Sequence, residues 1–92
     1  MGLSRKNKDI DCYALFVNGY ALDYSSKHDD AIKCFDRVID YYDNEACDDE
    51  AVVASLIGKG IALNYNGMKH KDKDRYDEAE KCFDRAIEIC NE

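Results

Sequence analysis

Apolar side chains recur along this chain at intervals of three and four, the spacing of one face of an α-helix, in four separate stretches. The first, with Cys12, Ala14, Leu15, Asn18, Gly19, Ala21 and Leu22, predicts a helix A1 from about Asp9, its cap, to Tyr24. A polar turn, Ser25-Ser26-Lys27-His28, separates it from the stripe Ala31, Cys34, Phe35, Val38, Ile39 and Tyr42, which predicts a helix B1 ending near Asp43-Asn44. The acid-rich start Asp48-Asp49-Glu50 suits the positive end of a helix dipole. Val52, Val53, Leu56, Ile57, Gly60 and Leu63 carry that helix, A2, to a terminating pair at Asn66-Gly67. The polar run from Met68 to Asp74 reads as a protruding loop before the last helix, B2, with Tyr76, Ala79, Cys82, Phe83, Ala86, Ile87 and Cys90. No strand pattern interrupts this order, and short turns make each A and B pair an antiparallel hairpin.

The two hairpins are written in nearly the same words. Lys33-Cys34-Phe35-Asp36-Arg37-Val38-Ile39 returns as Lys81-Cys82-Phe83-Asp84-Arg85-Ala86-Ile87, and Asn18-Gly19-Tyr20-Ala21-Leu22-Asp23-Tyr24 stands opposite Lys59-Gly60-Ile61-Ala62-Leu63-Asn64-Tyr65. One unit used twice predicts a repeat array, with repeat 1 at about 9–44 and repeat 2 at about 48–91 of a single domain spanning 1–92. These residues resemble the tetratricopeptide repeat family: a glycine in each first helix, an alanine two residues on, then Ala31 or Ala79 followed four residues later by Phe35 or Phe83. The resemblance implies an all-α fold, two helix-turn-helix hairpins stacked as a short right-handed α-solenoid.

The spacing departs from that family in two places. From Gly19 to Ala31 is 12 residues, as the family's unit requires, whereas Gly60 to Ala79 is 19 and Gly19 to Gly60 is 41 rather than 34. Seven residues turn a helix by about 700°, close to two full turns, so a helix lengthened by seven keeps its buried face inward. A lengthened B1, linker and A2 account for the first excess, and the Met68–Asp74 loop for the second.

Members of that family hold extended peptides or partner helices in a concave groove lined by the first helix of each unit. The matching positions here are Tyr13, Phe16, Tyr20, Asp23 and Tyr24 in A1, with Ala54, Ile57, Ile61, Asn64 and Tyr65 in A2. Tyrosine offers contact area at low entropic cost, which suits a binding surface. Tyr13, Phe16 and Tyr20 serve equally well as packing against the B helices, while Asp23, Asn64 and Tyr65 are expected at the surface. One subclass of the family clamps a terminal carboxylate with lysine and asparagine. Phe16 and Tyr20 stand in those places, so that clamp is missing and an apolar or basic protein segment is the expected partner.

Charge narrows the partners further. Thirteen basic against twenty acidic side chains leave a net charge of −7, which repels phosphate backbones and anionic lipid, so neither nucleic acid nor membrane is expected. No apolar run approaches the roughly 18 to 20 residues that span a bilayer, and the N-terminus lacks the apolar stretch of a signal peptide. Lys6 stands where a myristoylation motif wants Ser or Thr. Five cysteines, an odd number at spacings unlike a disulfide framework, suggest a reducing, cytoplasmic compartment, with Cys34 and Cys82 buried as small hydrophobes.

Chemistry is not legible. Gly58-Lys59-Gly60 lacks the layout of a phosphate loop and lies within a helix. His28 and His70, both placed in turns, have no partner at metal-ligand spacing, so neither metal nor cofactor is expected. Asp29-Asp30 and Asp77-Glu78 sit where carboxylates complement a helix dipole. No nucleophile, base and oxyanion group stand at workable spacing, and an enzyme is not expected. Since two repeats without a polar capping helix leave an open face around Phe83, Ile87 and Cys90, the alternative to a peptide-binding scaffold is a homo-oligomerising module, or a fragment or engineered scaffold with no separate ligand.

Overall fold

Four helices follow one another in the structure, a computed structural model that describes residues 2–92, with side-chain surroundings from residue 12 onward. They are α1 (Gly2–Tyr24), α2 (His28–Asp43), α3 (Asp49–His70) and α4 (Lys73–Cys90), and no strand is present among the described residues. Helix α1 packs on α2 and α3, and α3 packs in turn on α2 and α4. The assembly measures 47 × 29 × 15 Å, and the smallest extent leaves room for little more than one helix thickness plus side chains. Every helix therefore keeps a face near solvent.

All three helix ends inside the chain use the same closing device. Ser26, Glu45 and Lys71 each adopt a left-handed backbone, with φ of 65°, 60° and 53°. Each is followed by an amide that reaches back five residues, Lys27 N–H to the Leu22 carbonyl at 2.8 Å, Ala46 to Tyr41 at 2.7 Å and Asp72 to Gly67 at 3.0 Å. These six-to-one bonds satisfy carbonyls that a helix end leaves without partners, and they turn the chain sharply enough for the next helix to pack back.

The duplicated heptapeptide serves one packing purpose twice. A methyl group placed on Gly19 would lie 2.5 Å from the Phe35 ring, and one placed on Gly60 would lie 2.5 Å from the Phe83 ring. In each hairpin the aromatic of the second helix thus lies directly on the bare backbone of the first, an approach that any larger residue would block. Gly58 supplies Phe35 with a second such wall, also at 2.5 Å.

Two apolar clusters result. The larger joins α3 and α4 through Val52, Leu56, Leu63, Ala79, Cys82, Ala86 and Ile89, with Ile32, Ile39 and Tyr42 of α2 against it. The smaller gathers Cys12, Val38, Cys47 and Ala51, flanked by Leu15, Phe16 and Tyr41. Polar ties reinforce the contacts between helices. Lys59 Nζ lies 2.6 Å from Asp36 Oδ1 and 3.8 Å from Glu78 Oε2, linking α3 to both α2 and α4. Arg85 reaches Asp43 at 2.6 Å, and the buried Asn66 donates to Asp29 Oδ1 at 2.8 Å.

Several expectations are corrected. Helix α1 begins at Gly2, so Asp9 lies within the helix rather than at its start, and the side chain of Asp9 falls outside the described surroundings. Asn66-Gly67 does not end α3, which runs on to His70, and the expected loop from Met68 to Asp74 shrinks to Lys71 and Asp72. Gly67 gives up its side chain to packing instead: a methyl there would stand 3.2 Å from the Tyr76 ring and 3.3 Å from the Asp72 carbonyl oxygen. The seven extra residues extend the facing ends of α3 and α4, where whole turns keep the apolar stripe in register. Ile89 is buried in α4 while Ile87 is 58% exposed, so the core stripe lies rotated from the expected one.

The cysteines depart furthest. Cys12 and Cys47 form a disulfide across a sequence separation of 35 residues, with their Cα atoms 6.1 Å apart. Helix α1 brings one partner, and the five-residue linker between α2 and α3 folds Ala46 and Cys47 inward to meet it. The expectation of five unpaired thiols does not hold for this pair. Cys82 is buried and Cys34 half-buried, while Cys90 is exposed.

Candidate functional site

Helices α1 and α3 lie side by side and present a common face of aromatic and branched side chains. Along α1 the rings form a chain, with Tyr13 and Phe16 centroids 5.3 Å apart and Phe16 and Tyr20 6.2 Å apart in an edge-on arrangement. Tyr20 then meets the core ring of Phe35 edge-on at 5.2 Å. Spacings of three and four along a helix put Tyr13, Phe16 and Tyr20 on one stripe, and this contact with Phe35 anchors its far end. On α3, Ile57 and Ile61 stand one turn apart, 39% and 37% exposed, and carry the apolar surface across to the second helix.

Two phenol groups tie the helices together. Tyr20 donates its hydroxyl to the Ala54 carbonyl of α3 at 2.6 Å. Tyr13 donates to Asp48 Oδ2 at 3.3 Å, while Asp48 Oδ1 accepts the Ala51 amide at 2.9 Å and so caps α3. Both phenols feel negative charge. The Asp48 carboxylate, followed by burial and then Glu50, raises the Tyr13 pKa above the ordinary tyrosine value. Burial, followed by the Asp23 carboxylate, raises that of Tyr20.

At the end of the face nearest the α1–α2 turn lies a cleft of about 400 Å³. Tyr20, Asp23, Tyr24, Ile61 and Tyr65 line it, together with Ser26 and His28. His28 Nδ1 donates to Asp23 Oδ1, and the imidazole lies flat on the Tyr65 ring, with centroids 5.0 Å apart and planes 7° from parallel. The Asp23 carboxylate is only 10% exposed and the His28 side chain 13%. A second cleft shares Ser26, His28 and Tyr65 with the first and extends to Met68 and Lys69.

Of the expected groove residues, the structure brings Tyr20, Asp23, Tyr24, Ile61 and Tyr65 into one concavity. Tyr13 stands at the opposite end beside Asp48, Phe16 is half-buried between Tyr13 and Tyr20, Ile57 lies one turn before Ile61, and Asn64 is half-buried outside the cleft. The surface position expected for Asp23 and Asn64 is corrected, since the Asp23 side chain is 10% exposed and Asn64 is half-buried, whereas Tyr65 is 53% and Tyr24 94% exposed. His28 begins α2 rather than sitting in a turn, and its contacts with Asp23 and Tyr65 are absent from the sequence reading. Five residues separate Asp23 from His28, too many for one helix face. The left-handed Ser26 folds them together, and a serine carries no strong signal for that conformation.

Among the described residues no group of three or more His, Cys, Asp and Glu side chains is arranged to hold a metal ion, and no helix is long and apolar enough to cross a membrane. Cys82 lies beside Lys59, yet burial raises its pKa against the opposing pull of that cation, which keeps the thiol protonated and poorly nucleophilic. Comparison of the chain with family models, with curated proteins and with solved structures gives no match to any of them.

Proposed function

We propose that the chain is a protein-binding module of tetratricopeptide-like design, which takes an extended peptide segment along the face shared by α1 and α3. The observation that carries this reading is the row Tyr13, Phe16, Tyr20, Ile57, Ile61 and Tyr65: large apolar or aromatic side chains left at or near solvent on two helices held in register by the Tyr20 bond to the Ala54 carbonyl. A folded monomer gains little by displaying such a row, whereas a bound segment buries it. Two equivalent glycine–phenylalanine contacts, Gly19 with Phe35 and Gly60 with Phe83, support the tetratricopeptide-like reading of the scaffold. The negative charge felt by Tyr13 and Tyr20 favours a basic segment over an acidic one.

Selection from a random peptide library displayed on phage tests the proposal. The wild-type chain is expected to enrich peptides with an apolar anchor and a basic residue, and the variants Ile57→Lys and Ile61→Lys, folded by circular dichroism, to lose them. Enrichment that survives both variants would place binding elsewhere on the molecule.

A second reading has its own observation. Ile87 on α4 is 58% exposed and Val17 on α1 56%, at opposite sides of the helix stack, so a copy of the chain could join head to tail through these two faces. Light scattering on fractions from gel filtration checks it: mass that grows with concentration in the wild type and not in Ile87→Glu supports self-assembly.

A further inference from the structure

The cleft beside the α1–α2 turn has features that the rest of the shared face lacks. Its wall holds a carboxylate, Asp23, that is nine-tenths withdrawn from solvent and oriented by His28. Tyr65 is covered by the His28 ring on one side and remains 53% exposed, which leaves aromatic surface available to a planar group. Tyr20 and Tyr24 complete a surround of phenol rings. Lys69 lines the neighbouring cleft and not this one.

From this arrangement we infer that the cleft is a receptor for an arginine side chain of the bound segment, with the guanidinium paired to Asp23 and lying against the phenol rings that line the cleft. The inference rests on the peptide-binding reading and specifies the ligand chemistry at one end of that face. A guanidinium suits it for three reasons. Its flat faces pack well on phenol rings such as those of Tyr20, Tyr24 and Tyr65 in the cleft wall. Its donors pair with a carboxylate whose partial burial strengthens the attraction and whose position His28 has already fixed, so little ordering is left to do on binding. The net charge of −7 steers a cation toward the molecule. An ammonium gains from the carboxylate but cannot lie flat on the ring, so arginine is preferred to lysine. A volume of about 400 Å³ accepts the side chain and part of its backbone.

The test is an NMR titration of the full chain, uniformly labelled with ¹⁵N, with three capped tripeptides, acetyl-Ala-Xaa-Ala-amide, where Xaa is arginine, citrulline or lysine. Citrulline keeps the shape of arginine and removes its charge. The arginine peptide is expected to shift the amides of residues 20–28 and 61–65 in a saturable manner, with citrulline weaker by roughly tenfold and lysine in between. Asp23→Asn, which keeps the side-chain shape, should erase the preference for arginine over citrulline. Tyr65→Leu, at an exposed position, should reduce the preference for arginine over lysine and serves in place of Asp23→Asn if that variant fails to fold. Equal binding of arginine and citrulline, lysine equal to or tighter than arginine, shifts outside these segments, or no shift at all would each overturn the inference. Phage-selected peptides that require Ile57 and Ile61 but contain no arginine would sink it while leaving the peptide-binding reading intact.

Discussion

Phe35 and Phe83 stand in the same heptapeptide, yet the structure treats them differently. Phe35 has no exposed surface and is held between Gly19 and Gly58, whereas Phe83 is half-buried and meets Gly60 alone. The extra wall around Phe35 comes from α3, the first helix of the following hairpin. The first hairpin therefore closes around its aromatic ring only with the help of α3, so the stability of each half depends on what packs against it as well as on local sequence. Charge ties the second hairpin back to the first, through Lys59 to Asp36 and Arg85 to Asp43. The first receives a disulfide.

The largest test of that asymmetry is truncation of the two rings. Phe35→Ala should cost about 4 to 5 kcal/mol, since a fully enclosed ring leaves a cavity, and Phe83→Ala about 2 kcal/mol, measured by urea denaturation of each variant. Equal losses would show that the second hairpin is as closed as the first. Next comes the disulfide. Reduction, or the pair Cys12→Ser and Cys47→Ser, should lower stability by up to about 4 kcal/mol on the chain-entropy account. Hydrogen exchange should quicken in α1 and α2 well before α4.

Smaller effects sharpen the comparison at the junctions. Lys59→Met should cost about 1 kcal/mol, because the ammonium is largely enclosed while its carboxylate partners remain half in solvent. Burial alone would lower the Lys59 pKa, but the hydrogen bond and charge of Asp36, aided by Cys82 and Glu78, outweigh it and raise the value above 10.5. The ion-pair contribution is accordingly complete below pH 10.5 and is lost as pH rises through the higher folded value, which a pH series of thermal melts on wild type and Lys59→Met will display. The caps contribute as much or less. Asp48 caps α3 through the Ala51 amide, whereas Lys27 gives α2 no side-chain bond. Asp48→Ala should lose about 1 kcal/mol and Lys27→Asp gain about half of that, read from shifts in melting temperature.

Four helices and their apolar stripes were legible because a period of three and four residues over ten or more positions has no strand alternative. The pairing of Gly19 with Phe35 and of Gly60 with Phe83 was legible as a duplicated motif. Other features depended on geometry that local pattern does not carry. Gly67 signals a helix end by type but is consumed by contact with Tyr76, so α3 runs past it. Cys12 and Cys47 meet because a linker curls inward after the left-handed Glu45, and no spacing rule announces a bond between residues so far apart. Five of the ten expected groove residues converge on one cleft, yet the sequence pattern puts its hydrogen-bonded pair, Asp23 and His28, at the surface and in a turn. A left-handed serine joins them, and helix periodicity is silent beyond the last turn.

The bond between Cys12 and Cys47 closes a covalent ring that holds α1 from Cys12 onward and all of α2. Pulled from its two ends, an oxidised molecule can pay out only the chain outside that ring, and the 35 residue steps within it, about 120 Å of contour, stay hidden however hard it is stretched. Tension would then travel through the sulfurs and past the enclosed helices, leaving α3, α4 and the part of α1 before Cys12 to yield to force.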